Sequence, residues 1–264
     1  MPYARNALDG RRVYYEDDGG AGAPVVFHGG LVDSVDSVRS SAIAEALVDE
    51  FRLIYVDHRG VGRSDNPHDP EAYAIRLRVA DAVAVLDELS IERAHFVGAS
   101  WGGRLGFGIG EHAPERVLSL VLGGQQPYAI DPAGPLAHAV TESLAASRVQ
   151  GSLAPFVEAL EAASAGVPVP EALRRQWLAN DPVAVDAAWS SALAEGAVSG
   201  DLRSWRVRCL IHAAVGDADF YDGARRAAGE IPGAEFVSID ELDHLGAHLK
   251  PDLVLPAVLR TLRS

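Results

Sequence analysis

Short runs of branched and aromatic residues alternate along this chain with longer stretches whose apolar positions recur every three or four residues. Pro24-Val25-Val26-Phe27, Phe51 to Val56, Ala94-His95-Phe96-Val97, Val117 to Leu122, Val207 to His212 and Ala234 to Ile239 have the length and composition of buried strands. Arg11 to Tyr15 reads as a further strand near the start. Between them, Ser37 to Glu50 carries Val38, Ile43, Leu47 and Val48 at helical spacing, and Val79 to Leu89 repeats the theme with Val79, Val83, Leu86 and Leu89. Leu249 to Leu262 predicts a closing helix. Strands that alternate with helices in this way predict the α/β class: a mostly parallel central sheet flanked by helices on both faces.

From Gln125 to Trp205 the pattern changes. This stretch is rich in alanine and contains helix starts such as Val169-Pro170-Glu171 and Asp181-Pro182, where proline suits the first helical turn. It predicts a helical lid over residues 125–205, inserted into a core made of residues 1–124 and 206–264. Trp177, Trp189, Trp205, Tyr128 and Phe156 are its candidates for a pocket wall. With 264 residues, 48% of them hydrophobic, the chain is long enough to bury one large core.

A formal charge of −14 opposes binding to nucleic acid or to an anionic membrane surface, which leaves a small molecule as the expected partner. No run is apolar and long enough for a signal segment or a membrane span, so a soluble cytoplasmic protein is expected. Cys209, the single cysteine, lies in an apolar run and reads as a core residue.

The most informative segment is Gly98-Ala99-Ser100-Trp101-Gly102-Gly103, which follows a strand and precedes the helix-like Arg104 to Ile109. That context is a nucleophile elbow, a strained turn that pushes one side chain out at the end of a strand. It aims the Ser100 hydroxyl outward and leaves the Trp101 N–H at a helix N-terminus, where negative charge is favoured. A serine hydroxyl needs a base within hydrogen-bond reach and a third group to orient that base. Both belong on loops at the carboxyl ends of strands. Of the nine histidines, His244 and His248 follow the last strand closely; His244 falls in the loop and is the candidate base, whereas His248 fits a role bracing the next helix. His95 and His212 lie within or at the end of strands, and burial accounts for them.

The acid should come from Ala213 to Phe220, after the strand that follows the lid. Asp219 is the choice there, with Asp217 as a turn-stabilising alternative. In His28-Gly29-Gly30-Leu31 the small residues let a backbone amide approach a substrate oxygen, so Gly30 is expected to join Trp101 as the second oxyanion donor, and His28 to hydrogen-bond within the turn. Asp57-His58-Arg59-Gly60-Val61-Gly62-Arg63-Ser64-Asp65 lacks the Gly-Lys-Ser/Thr ending of a phosphate loop and reads as a salt-bridged turn.

Taken in order, His28 to Gly30, Asp57 to Ser64, Gly98 to Gly103, Gly216 to Asp219 and His244 to Pro251 resemble the motifs of the lid-bearing serine hydrolases of the α/β-hydrolase superfamily. The resemblance implies the α/β-hydrolase fold, a Ser100-His244-Asp219 triad, an oxyanion hole from Gly30 and Trp101, and no metal or organic cofactor. Relatives with aspartate at the elbow are epoxide hydrolases or haloalkane dehalogenases, and serine here departs from them. Asp243 stands where many relatives have glycine; a carboxylate there would raise the neighbouring histidine's pKa or face solvent. The expected activity is hydrolysis of a carboxylic ester, thioester or lactone. Ser100-Trp101-Gly102 is also similar to the elbow of proline iminopeptidases, which need lid carboxylates; Glu142, Glu158, Glu161, Glu171 and Glu195 are on offer. Carbon–carbon bond hydrolysis and a non-enzymatic ligand receptor on the same scaffold are the remaining alternatives.

Overall fold

The computed structural model describes residues 2–163 and 167–264. Eight strands form one sheet: β1 (Tyr3–Arg5), β2 (Arg12–Asp17), β3 (Pro24–His28), β4 (Arg52–Val56), β5 (Ala94–Ala99), β6 (Val117–Gly123), β7 (Arg208–Ala214) and β8 (Glu235–Ile239), in the order β1-β2-β4-β3-β5-β6-β7-β8. The β1-β2 and β2-β4 pairs are antiparallel and the remaining pairs are parallel. Successive residues of the central strands go to opposite faces. Val26, Ile54, Val56, Phe96, Leu120, Leu122 and Ile211 pack into one core. Val25, Phe27, Leu53, Tyr55, Val97, Val121 and Leu210 pack into the other. With both faces buried, the strands read as continuous apolar runs and not as alternating ones.

The first core is closed by α3 (Ile75–Glu88), α4 (Trp101–His112) and α9 (Tyr221–Glu230), and the second by α1 (Val35–Arg39), α2 (Ala42–Leu47) and α11 (Leu255–Leu262). The helix expected over 37–50 is therefore two short ones. Ser40 and Ser41 interrupt it, and the Ser41 hydroxyl accepts the Ala44 N–H to start the second. The closing helix expected over 249–262 is also shorter: Leu249 ends α10 (His244–Leu249), a 3-10 turn covers Pro251–Val254, and α11 follows. Pro251 has no N–H to give and disfavours a helical Lys250, which accounts for the break.

Between β6 and β7 the chain leaves the sheet as a helical insertion of α5 (Pro135–Gln150), α6 (Ala154–Ala163), α7 (Glu171–Leu178) and α8 (Pro182–Ala194). Asp181 caps α8 by accepting from Val183 and Ala184, with Pro182 in the first turn. A third apolar cluster, containing Trp101, Phe156, Trp177, Trp189, Phe220 and Leu245, joins this insertion to the sheet's carboxyl edge. Among the described residues, no helix is long and apolar enough to cross a membrane.

Candidate active site

β5 ends at the centre of the sheet and runs directly into α4 through Ser100, whose φ of 51° and ψ of −111° are a strained conformation for a residue with a side chain. The flanking glycines are required by contact. A Cβ on Gly98 would stand 2.3 Å from the Gly102 carbonyl oxygen, and one on Gly102 would stand 2.2 Å from that of His28. The turn is held by Ser100 N–H donating to Gly123 O at 2.7 Å and Gly102 N–H donating to Gly29 O at 2.9 Å. The N–H of Trp101, the first residue of α4, meets no acceptor among the described residues and remains open at the positive end of a helix dipole.

The His244 ring bridges two partners. Its Nε2 is 2.9 Å from Ser100 Oγ and its Nδ1 is 2.6 Å from Asp217 Oδ2. The carboxylate that meets the ring is thus Asp217 and not the expected Asp219. After β7 the chain turns tightly, with Asp217 N–H donating to Ala214 O, and this buries the Asp217 side chain to 1% exposure beneath the imidazole. Two residues on, Asp219 faces the insertion instead, where its oxygens accept the N–H groups of Leu136 and Ala137 at 3.2 and 2.8 Å, at the start of α5. Asp243 also has a structural task. It caps α10 by accepting the Gly246 N–H at 2.7 Å, so His244 enters the site as the first residue of a short helix.

Gly30, expected as the second oxyanion donor, has a partner within its own loop. The Gly30 N–H is engaged by Asp33 Oδ2 at 2.7 Å, because the turn closed by Asp33 N–H on Gly30 O folds the carboxylate back onto it. The same oxygen is 2.8 Å from His248 Nε2, and Oδ1 accepts the indole N–H of Trp177 at 2.7 Å. Burial works to raise the Asp33 carboxyl, but the His248 charge and these three donors hold it down at about 2. For His248, burial is outweighed by Asp33, which raises the imidazole above its ordinary value. His248 was expected to brace a helix; it binds the oxyanion loop instead.

A layer of buried basic groups supports the elbow. Arg78, 2% exposed, donates to Trp101 O at 3.0 Å and lies 3.6 Å from the centre of the indole ring. Burial pushes its guanidinium down to about 9. His58 joins the turn after β4 to the oxyanion loop, with Nδ1 2.8 Å from Arg59 O and Nε2 3.1 Å from Gly30 O. In that turn Asp57 accepts the N–H groups of Val35 and Arg63, and Arg59 is clamped by Asp81, Asp9 and the Ala72 carbonyl. His28, at the end of β3, is buried. Its ring stacks on that of His58 at 5.4 Å, and its Nδ1 is buried without a partner among the described residues.

Ser100, Trp101, Asp217 and His244 open into a cavity of about 240 Å³. Phe156, Trp177 and Trp189 line it, as expected of aromatic residues in the insertion. Tyr128 and Trp205 do not: Trp205 packs on Phe107 in the sheet core, and Tyr128 donates to Glu230. His95 and His212 are strand residues, both pushed down to about 4 by burial, and Cys209 is a buried free thiol. Among the described residues no group of three or more His, Cys, Asp or Glu side chains is disposed to hold a metal ion.

A serine on a strained strand-to-helix turn, at the carboxyl edge of a mostly parallel sheet and beneath a helical insertion, is the architecture of the α/β hydrolases. The family described as the alpha/beta hydrolase fold matches residues 23–200, and the chain belongs to it. Among curated relatives, the cis-3-alkyl-4-alkyloxetan-2-one decarboxylase of Shewanella oneidensis is 32% identical over 126 residues, 46% of this chain and 39% of that protein. The bifunctional epoxide hydrolase 2 of Sus scrofa is 34% identical over 113 residues, 42% of this chain and 20% of that protein. The matched stretches thus span well under half the length of these relatives. Solved structures share the whole fold. The enol-lactonase from Burkholderia xenovorans superposes with a TM-score of 0.78 at 24% identity, covering 100% of both chains. The thermophilic esterase from Thermogutta terrifontis does so with a TM-score of 0.80 at 23% identity, covering 100% of this chain and 97% of its own.

Proposed function

We propose that this hydrolase cleaves a small carboxylic ester, thioester or lactone through an acyl-enzyme intermediate. The observation that carries the reading is the continuous hydrogen-bonded line from Ser100 Oγ through His244 to Asp217, with distances of 2.9 and 2.6 Å, at the floor of an apolar cavity. In this reading Ser100 Oγ attacks the carbonyl carbon while His244 Nε2 takes its proton. The carbonyl oxygen becomes an oxyanion facing the open Trp101 N–H. Asp217 holds the ring in the Nδ1–H tautomer and stabilises the imidazolium that forms. Collapse breaks the bond to the leaving oxygen or sulfur, which receives the His244 proton. Water then attacks the acyl group, again giving its proton to His244, and a carboxylic acid departs as Ser100 is regenerated.

Cavity size supports a small substrate: about 240 Å³ lies below the roughly 300–1,000 Å³ typical of sites for drug-sized ligands. None of Glu142, Glu158, Glu161, Glu171 or Glu195 lines the cavity, so the insertion offers no glutamate to hold the free amine of an aminopeptidase substrate. Epoxide hydrolysis of the aspartate-nucleophile type has no counterpart with serine at position 100. The deciding experiment compares p-nitrophenyl acetate with proline p-nitroanilide. Turnover of the ester, its loss in a folded Ser100→Ala variant, and little action on the anilide are expected; efficient release of proline would reverse the assignment.

A further inference from the structure

A second cavity, of about 430 Å³, lies on the other side of the oxyanion loop, between α1, α2 and α7. It has an apolar wall that includes Val38, Ile43 and Leu173, with serine hydroxyls among them. Asp33 and His248 are the two residues it shares with the cavity above Ser100. We infer that the Asp33–His248 pair is a movable partition in the substrate site, and that the space behind it takes the alkyl chain of esters too long for the catalytic cavity. The inference rests on the esterase reading and deepens it by naming what limits chain length.

The pair stands close to the reacting serine. A Cβ built on Gly30 would lie 3.0 Å from Asp33 Oδ2, 3.6 Å from His248 Cε1 and 3.7 Å from Ser100 Cβ. A chain threading from Ser100 toward the second cavity therefore meets these two side chains first. They belong to separate elements, the loop after β3 and the last turn of α10, and meet through a side-chain contact of 2.8 Å. Trp177 of α7 holds the other Asp33 oxygen and walls the catalytic cavity, which ties the partition to the insertion. Parting the pair has a second consequence: Asp33 Oδ2 leaves the Gly30 N–H, which then becomes available to an oxyanion beside that of Trp101.

The test is a chain-length series. Wild type, His248→Ala and His248→Gln are compared on p-nitrophenyl acetate and p-nitrophenyl decanoate, reading the ratio of the two kcat/KM values, in which any general effect of uncovering Gly30 cancels. Glutamine keeps the bulk and an N–H for Asp33, whereas alanine removes the wall. Because His248→Ala strands the Asp33 charge, the double variant Asp33→Asn/His248→Ala is carried beside it. The ratio should rise in favour of decanoate by at least about tenfold in the opened variants, the gain expected from burying two or more further methylenes. It should stay within about twofold of wild type in His248→Gln. An unchanged ratio in both opened variants, or an equal rise with glutamine, would overturn the partition. Binding of sodium decanoate, followed by quenching of tryptophan fluorescence, reads the same joining of cavities without turnover. The opened variants should bind at least about tenfold tighter than wild type. A protein that hydrolyses neither ester would thus count against the esterase reading, while decanoate binding still decides the partition.

Discussion

Replacing Asp217 and Asp219 separately by asparagine distinguishes two carboxylates that are two residues apart and have different work. Asp217 is buried, accepts the Phe220 N–H at 3.3 Å and meets His244 Nδ1 at 2.6 Å, so asparagine fits its space but removes the charge facing the imidazolium. If the new amide NH2 turns to the ring, Nδ1 must accept, which puts the proton on Nε2 and leaves Ser100 without a base. The expected cost is on the order of 10⁴ in kcat, or about 5 kcal/mol in the barrier. Asp219→Asn instead weakens the acceptor for two amides at the start of α5. Its cost is about 1 kcal/mol of stability, a melting shift of roughly 2–4 °C, with kcat within about threefold of wild type. Initial rates on p-nitrophenyl acetate and thermal melts of the three proteins suffice. Loss of activity in folded Asp219→Asn on the scale expected of Asp217→Asn, or more than about a tenth of the wild-type rate in Asp217→Asn, would refute this division of work.

Two further outcomes follow from burial. His58 and His95 are 2% and 6% exposed and are pushed down to about 4, so the unfolded chain binds protons that the folded one refuses between pH 6.5 and about 4. Stability contributed this way is complete well above pH 6.5 and falls with acidification below it, by at most about 3 kcal/mol per pH unit for the two together. Urea titrations at pH 7 and 5 should show that loss, and equal midpoints would refute it. Gly102→Ala places a methyl 2.2 Å from the His28 carbonyl oxygen, which forces the elbow and the oxyanion loop apart. It should destabilise by about 1–3 kcal/mol and abolish most turnover; a fully active, wild-type-stable variant would show that the turn does not need the contact.

The alternation of strands and helices, the elbow and His244 were legible in the sequence because each depends on a local pattern that tertiary contacts reinforce. Ser100 needed only its neighbours: Gly98 and Gly102 are the glycines that the turn's close contacts demand. The acid was harder. Gly216-Asp217-Ala218-Asp219 offers two carboxylates, and what selects between them is the tight turn on Ala214 that buries the first, a feature with no signature in residue spacing. Asp33, His248 and Arg78 were not legible as site residues. Each acts through a partner far along the chain: Asp33 with Trp177 and His248, and Arg78 with Trp101. Arg78 in the period of Ile75, Val79 and Ala82 was the visible hint, since a charge on that helix face must find partners in the folded state. The two helix breaks, at Ser40-Ser41 and Lys250-Pro251, carried capping and proline signals that the longer apolar periodicity obscured.

The central claim is that His244 makes Ser100 a nucleophile across the 2.9 Å contact between them. Reaction with a fluorophosphonate, followed by intact-mass kinetics and peptide mapping, tests it without any knowledge of the substrate. The expected result is a single adduct on the Ser100 peptide in wild type, and labelling slower by at least about 10³-fold in a folded His244→Ala variant. Adduct formation on another residue, or an undiminished rate without the imidazole, would contradict it.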